Sequence, residues 1–252
     1  AQARGAGRAA RRGATLEGRD LDLLVFGSGE KPLWIISRQH PGESMAGWFV
    51  EGIVEKLCDA QDPVSRALLS AATIYLVPNM NPDGVFRGNL RTNAAGTNLN
   101  REWREPSLEK SPEVFHVVRR MEETGVSMCL DAHGDEGLPY NFIAGYEGAP
   151  DVTEAHLAPL NRFRTELARL SPDFQTERGY PKAAPGKGNL TTSTGHIANT
   201  FRCPAMTLEM PFKDTANNPM PEVGWSPDRC KHLAGHCLET MLLMIDDWGS
   251  GL

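Results

Sequence analysis

The sequence predicts an α/β sandwich, a mixed β-sheet covered by helices. Three observations predict it. Short apolar runs of strand length alternate with segments whose apolar residues recur every three or four positions. Gly, Pro, Asn and Ser punctuate the junctions between them. The 252 residues, 40% hydrophobic and 23% charged, have the size and composition of one domain with a large core. No internal repeat or linker divides the chain.

Residues 1–16 are rich in Arg, Ala and Gly and lack the apolar run of a secretory leader, so a disordered basic tail is expected there. The chain starts without Met, and the expectation is a processed chain or a piece of something longer. Residues 21–26 read as a strand, 27–32 as a turn and 33–37 as the next strand. From 43 to 59 the set Met45, Phe49, Ile53 and Leu57 marks one buried helix face. A short helix is expected over 63–71 and a strand over 73–77, stopped by Pro78.

Residues 78–107 show no periodicity and are rich in Asn and Gly; so long a loop inside a compact domain is more often functional than idle. Ser111-Pro112-Glu113 carries an N-cap, a proline for the first helical position and an acidic first turn, opening a helix that Gly125 ends. His116 falls in that helix, where a packing or surface role is expected. A strand over 127–130 leads into Asp131-Ala132-His133-Gly134. Further on come a strand at 140–144, a helical pattern over 150–170 broken at Pro159, and loop-like sequence over 171–204. Residues 205–209 read as a strand ending on a carboxylate, and Ser226-Pro227-Asp228 opens a C-terminal helix reaching about Asp247.

Charge and cysteine usage exclude several classes of function. The formal net charge of −6 gives no general case for nucleic-acid or anionic-membrane binding. The apolar runs are far short of a membrane span. Five cysteines form no spaced framework, and reduced thiols in a cytoplasmic protein are the simplest reading.

The chemistry-bearing residues gather at strand ends. His40 and Glu43 lie three apart at a strand-to-helix turn, where an imidazole and a carboxylate can share one Zn²⁺. His-x-x-Glu arises often by chance, but His133 also follows an apolar strand, and open α/β sheets place their ligands at such ends. His40, Glu43 and His133 are therefore the candidate ligands of a single zinc ion, with a fourth position left for water. Glu209 closes another strand and is the candidate proton carrier; the competing reading is a structural ion pair. In the Asn-rich loop, Arg91 and Arg101 each follow a polar or amide-bearing segment and can hold a carboxylate or steady an oxyanion. Residues 179–208 contain no Asp or Glu but carry Lys182, Lys187 and Arg202, which suggests a pocket for an acidic side chain. A rival metal site, His232, His236 and Glu239, shares one face of the C-terminal helix, where packing is the stronger reading.

Five motifs occur in one order: His40-Pro41-Gly42-Glu43; Asn81-Pro82-Asp83-Gly84 with Gly88-Asn89-Leu90-Arg91; Asn100-Arg101; Asp131-Ala132-His133-Gly134; and Thr207-Leu208-Glu209-Met210-Pro211-Phe212. Together, and with Gly18-Arg19-Asp20-Leu21, they resemble the M14-type zinc metallocarboxypeptidases, most closely the cytosolic carboxypeptidase branch, from about residue 17 to 248.

The resemblance implies a central eight-stranded mixed sheet and a catalytic domain over 17–252 acting on peptide or protein C-termini. It implies zinc on His40, Glu43 and His133. Arg91 would polarise the scissile carbonyl, Asn100 and Arg101 would grip the terminal carboxylate, and Glu209 would be base and then acid. Lys187 and Arg202 are the candidates for side-chain recognition. Branch members carry a β-rich domain upstream, for which this chain has no room, and a closing Tyr before the catalytic Glu, for which Tyr180 is the last preceding candidate. Zinc amidohydrolases of the aspartoacylase type share part of the pattern; Asn81-Pro82-Asp83-Gly84 favours the peptidase. Trimming of bacterial cell-wall peptides and a non-catalytic binding module are narrower alternatives.

Overall fold

The computed structural model describes residues 8–150 and 152–249. Seven strands form the sheet: β1 (Arg8–Ala14), β2 (Asp20–Gly27), β3 (Lys31–Ser37), β4 (Ala72–Val77), β5 (Met128–Asp135), β6 (Phe142–Ala144) and β7 (Ala205–Pro211), in the order β1-β2-β4-β3-β5-β7-β6. The inner four, β4, β3, β5 and β7, run parallel, and the outer pairings are antiparallel. Leu33–Ser37 and all of β7 are buried, as expected where helices cover both faces of a parallel sheet and strands become continuous apolar runs.

The helices are α1 (Ser44–Cys58), α2 (Pro63–Ala71), α3 (Pro82–Arg87), α4 (Pro112–Thr124), α5 (Glu154–Leu170), α6 (Ser193–Phe201) and α7 (Pro227–Leu243). The predicted stripe of α1, with Met45, Phe49, Ile53 and Leu57, is buried, and α1 packs on β3, β5 and α7. Trp34 anchors the core, stacked on Tyr75 at 5.0 Å with its indole N–H donated to the Gly125 carbonyl.

Several expectations are corrected. The sheet has seven strands among the described residues where the resemblance implies eight; beyond β6 there is only an isolated bridge, Asn141 to Phe174. The expected tail at 1–16 is a strand over Arg8–Ala14, paired with the edge of β2; residues 1–7 lie outside the described residues. A ladder is made of backbone groups that any sequence supplies, so a run of Ala, Arg and Gly carries no periodic signal of it. The aperiodic loop contains α3 and a 3-10 turn at Leu99–Arg101, both too short to show a period. Helix α5 runs unbroken through Pro159, held by buried Leu160, Phe163 and Leu167. Helix α6 was hidden by Ser, Thr, Gly and Asn; it forms because the Thr192 side chain caps it and Ile197 and Ala198 are buried.

The connectivity leaves one crevice. From β3 the chain crosses to β4 on one side, while β5 and β7 extend the sheet on the other. Strand order therefore reverses between β3 and β5, and connections leave their carboxyl ends in opposite directions, which is where open α/β sheets bind ligands.

Candidate active site

The site begins where β3 stops. Arg38 adopts a left-handed conformation (φ 59°) and donates from Nη2 to the Pro41 carbonyl at 2.6 Å. This turn leaves both Gln39 and His40 buried. Gly42 then donates its N–H to the Leu90 carbonyl at 2.8 Å, and a Cβ there would stand 2.6 Å from the Leu90 side chain. The close approach ties the ligand turn to the loop carrying Arg91. Glu43 occupies the N-cap position of α1, yet its side chain makes no capping bond and turns to the histidines.

His40 Nδ1 lies 2.6 Å from Glu43 Oε1, and His133 Nδ1 lies 2.9 Å from Glu43 Oε2 and 3.1 Å from His40 Nδ1. One ligand atom from each residue falls within 4.8 Å of the others, and all three residues are buried. Glu43 Oε2 has His133 Nδ1 as its near neighbour but no well-aligned hydrogen bond. Two imidazole nitrogens and a carboxylate converging with an unsatisfied oxygen among them fit the His₂Glu donor set of a catalytic zinc site.

The outer partners settle which ring nitrogens face inward. His40 Nε2 lies 3.0 Å from Asn98 Oδ1, an oxygen that also accepts from the Asn100 backbone N–H. His133 Nε2 lies 2.9 Å from Asp131 Oδ2, which also accepts from Gln39 Nε2 and Ser193 Oγ, each at 2.5 Å. Gln39 is held in turn by the Trp103 indole N–H at 2.8 Å. Both oxygens only accept, so each Nε2 carries a proton and each Nδ1 faces the centre, where it would offer its lone pair to a metal ion. Burial pushes the Glu43 carboxyl up, but His133 and His40 outweigh it and hold the pKa at about 2. Burial disfavours the His133 imidazolium, but Asp131 and Glu43 on either side outweigh it and raise its pKa well above the ordinary value. The same negative field favours a cation at this point.

Glu209 is the register partner of His133 across β5 and β7. Burial pushes its carboxyl up to about 7 despite the opposing pull of His133, and its Oε2 is buried without a hydrogen-bond partner. Arg91 Nη1 stands 4.0 Å from Glu43 Oε1. Asn100 Oδ1 accepts from the Ser193 N–H at 2.9 Å, fixing the side chain against the start of α6. Arg101 donates to the Asn100 carbonyl at 2.6 Å; burial, then the nearby Arg91 guanidinium, lower its pKa. Two guanidiniums that repel each other across one space make a place for an anion.

The motif Asn81-Pro82-Asp83-Gly84 braces this arrangement. Asn81 caps α3 through Oδ1 and donates from Nδ2 to the Gln39 carbonyl at 3.0 Å. Buried Asp83 accepts from Thr15 Oγ1, the Glu17 N–H and Arg19 Nη1, tying down the Gly18-Arg19-Asp20-Leu21 segment.

A cavity of about 460 Å³ opens beside the site, with Phe142, Tyr180, Arg178, Lys182 and Thr192 among its walls. Lys187 and Arg202 do not line it. Lys187 is exposed on the turn that follows Ala184, and α6 carries Arg202 to its C-terminal end, where it takes a left-handed conformation. Of the three basic residues expected to line a pocket, Lys182 is on the cavity wall, and Arg178 joins it there. The rival metal group is not formed either: the convergent cluster among the described residues is His40, Glu43 and His133, while Glu239 accepts from Lys56 at 3.3 Å.

Sequence reasoning passed over Gln39, Asn98, Asp131 and Ser193 as site residues and left Tyr180 unassigned. Asp131 was recoverable, because positions i and i+2 of a strand share a face. Tyr180 was not: its hydroxyl lies 3.2 Å from Glu209 Oε1 through folding of a long irregular segment.

The zinc carboxypeptidase family (Peptidase_M14) matches residues 8–215. An uncharacterised protein of Zymomonas mobilis is 48% identical over 234 residues, covering 93% of this chain and 62% of that protein. Cytosolic carboxypeptidase 6 of Mus musculus is 31% identical over 148 residues, 53% of this chain and 27% of its own length. Among solved structures, a metallo-carboxypeptidase from Pseudomonas aeruginosa, in complex with (2-guanidinoethylmercapto)succinic acid, superposes with a TM-score of 0.91 at 47% identity, covering 95% of this chain and 65% of that one. The chain thus spans less than two thirds of the length of these relatives. With the family match covering most of the sequence and the convergent His-Glu-His cluster in place, the chain belongs to the zinc carboxypeptidase family.

Proposed function

We propose that the chain is the catalytic domain of a zinc metallocarboxypeptidase, with β1 (Arg8–Ala14) as part of its sheet, that hydrolyses the last peptide bond of peptides or proteins. The observation that carries this reading is the convergence of His40 Nδ1, Glu43 and His133 Nδ1 beside a buried carboxylate, Glu209, on the neighbouring strand. A zinc ion on those three residues supplies Lewis acidity, polarising a carbonyl and making water acidic near neutral pH. The residues of the chain do the rest. Glu209, with a pKa near 7 set by burial, takes a proton from water and delivers it to the leaving amine. Arg91 holds the carbonyl oxygen as charge gathers on it. Asn100 and Arg101 grip the terminal carboxylate, which restricts cleavage to the chain end.

The cavity beside Tyr180 takes the side chain of the last residue. Arg178 and Lys182 on its wall support a preference for an acidic one, although Glu177 shares that wall and Glu147 there is held in an ion pair with Arg164. The Pseudomonas relative's complex with a substituted succinic acid supports carboxylate recognition. The described cysteines are all free, which supports a cytoplasmic setting, and no described helix is long and apolar enough to cross a membrane. A β-rich domain upstream in the whole protein is consistent with the greater length of the relatives.

The test is metal analysis of the purified chain, paired with mass-spectrometric detection of residues released from peptide C-termini before and after chelation. One zinc per chain and release that stops on chelation and returns with zinc is the expected result. Zinc-loaded protein that releases nothing from peptides but deacylates N-acyl amino acids would replace the reading with the amidohydrolase one. A peptide panel differing only in the last residue tests the preference; fastest release of Phe or Leu overturns it.

A further inference from the structure

Residues 176–187 are all exposed, so little burial holds this segment in place. Tyr180 within it is nevertheless pinned. Its ring meets Phe142 edge-on, with centroids 4.9 Å apart and planes at 84°. Its hydroxyl donates to Asp135 Oδ2 and also lies 3.2 Å from Glu209 Oε1. Phe142 is itself the register partner of Glu209 across β6 and β7. The phenol therefore stands at the boundary between the carboxylate and the cavity.

Asp135 divides its two oxygens between two tasks. Oδ1 accepts the N–H groups of Gly137 at 2.8 Å and Leu138 at 2.6 Å, closing the turn that follows β5. Oδ2 is given to Tyr180. A phenol has one proton to donate, so the two carboxylates within its reach compete for it, and Asp135 is the closer.

We propose that Asp135 is a positioning residue, whose hydrogen bond to Tyr180 sets the phenol at the mouth of the site before a substrate arrives. The segment is then ordered on folding rather than on binding, which lowers the entropic cost of each binding event. The kinetic side of the proposal rests on the carboxypeptidase reading; the placement of Tyr180 does not.

Asp135→Asn is the discriminating change. Asn keeps Oδ1 for the turn and puts an NH₂, which cannot accept, opposite Tyr180. Wild type, Asp135→Asn, Tyr180→Phe and the double variant are compared in two assays. The first follows nitration of Tyr180 by tetranitromethane, located by peptide mapping, and needs no activity. The expected result is several-fold faster nitration of Tyr180 in Asp135→Asn. The second measures peptide release: KM rises about tenfold in Asp135→Asn, the size of one hydrogen bond to a charged group, with kcat little changed. In the Tyr180→Phe background the same substitution has no further effect on KM. Unchanged nitration, or an equal rise in KM with and without the Tyr180 hydroxyl, overturns the proposal. A zinc-loaded wild type that releases no residue overturns the carboxypeptidase reading instead, and nitration still decides the placement.

Discussion

His133 and Glu209 are register partners on β5 and β7, so a ligand imidazole and a carboxylate leave adjacent parallel strands at the same height. Parallel pairing sets this height with backbone hydrogen bonds, independent of either side chain. The two groups can then be assigned separate tasks, and the tasks are separable by mutation.

Glu209→Gln removes the proton carrier and leaves the ligand set intact. Peptide release should fall by about 10²–10⁴-fold, while the zinc content stays near that of wild type. Steady-state rates together with metal stoichiometry check this. Release within a few-fold of wild type would show that another group moves the proton.

Asp131→Asn acts through His133 without touching the ion. Asp131 Oδ2 gathers the His133 ring, the Gln39 amide and the Ser193 hydroxyl, so an NH₂ at that point meets donors. Zinc affinity should weaken about 10–100-fold, read by competition against a chromogenic chelator. An unchanged dissociation constant would mean that the ring is oriented by packing alone.

Glu113 gives a pH dependence that has nothing to do with catalysis. It is fully buried in the first turn of α4, with Oε1 unpartnered and Oε2 3.3 Å from Asn93 Nδ2. Burial, reinforced by nearby Asp83, raises its pKa from the ordinary 4.5 to about 7. Because the folded value is the higher one, its contribution to stability is intact below pH 4.5 and is lost as pH rises through 7. Glu113→Gln stays neutral throughout. Its unfolding free energy relative to wild type, followed by melting temperature at each pH, should climb between pH 4.5 and 7 and level off above, by an amount on the order of 3 kcal/mol. A difference that does not vary with pH would show that Glu113 titrates normally in the folded chain.

The strands that build the site were legible because they are buried on both faces. Leu33–Ser37, Met128–Leu130 and Ala205–Leu208 read as apolar runs, and each stops at a polar residue that lies in the crevice. Elements whose stability comes from caps or edge pairing were not legible. β1, α3 and α6 depend on the free edge of β2, on Asn81 and on Thr192, respectively, and none has a periodic apolar face long enough to count. Arg202 lies off the cavity wall for the same reason, since the unrecognised α6 carries it away, whereas Lys187 lies on an exposed turn ahead of that helix.

The sequence by itself determined the sheet's inner strands, the helix after His40 and the three ligand candidates, because burial periodicity and short-range spacing are properties of neighbouring residues. Only the tertiary structure decided that both histidines face inward through Nδ1, that Asn98 stands behind His40, and that Tyr180 reaches Glu209. Those contacts join residues dozens of positions apart, and they exist only once β3, β5 and β7 are laid side by side.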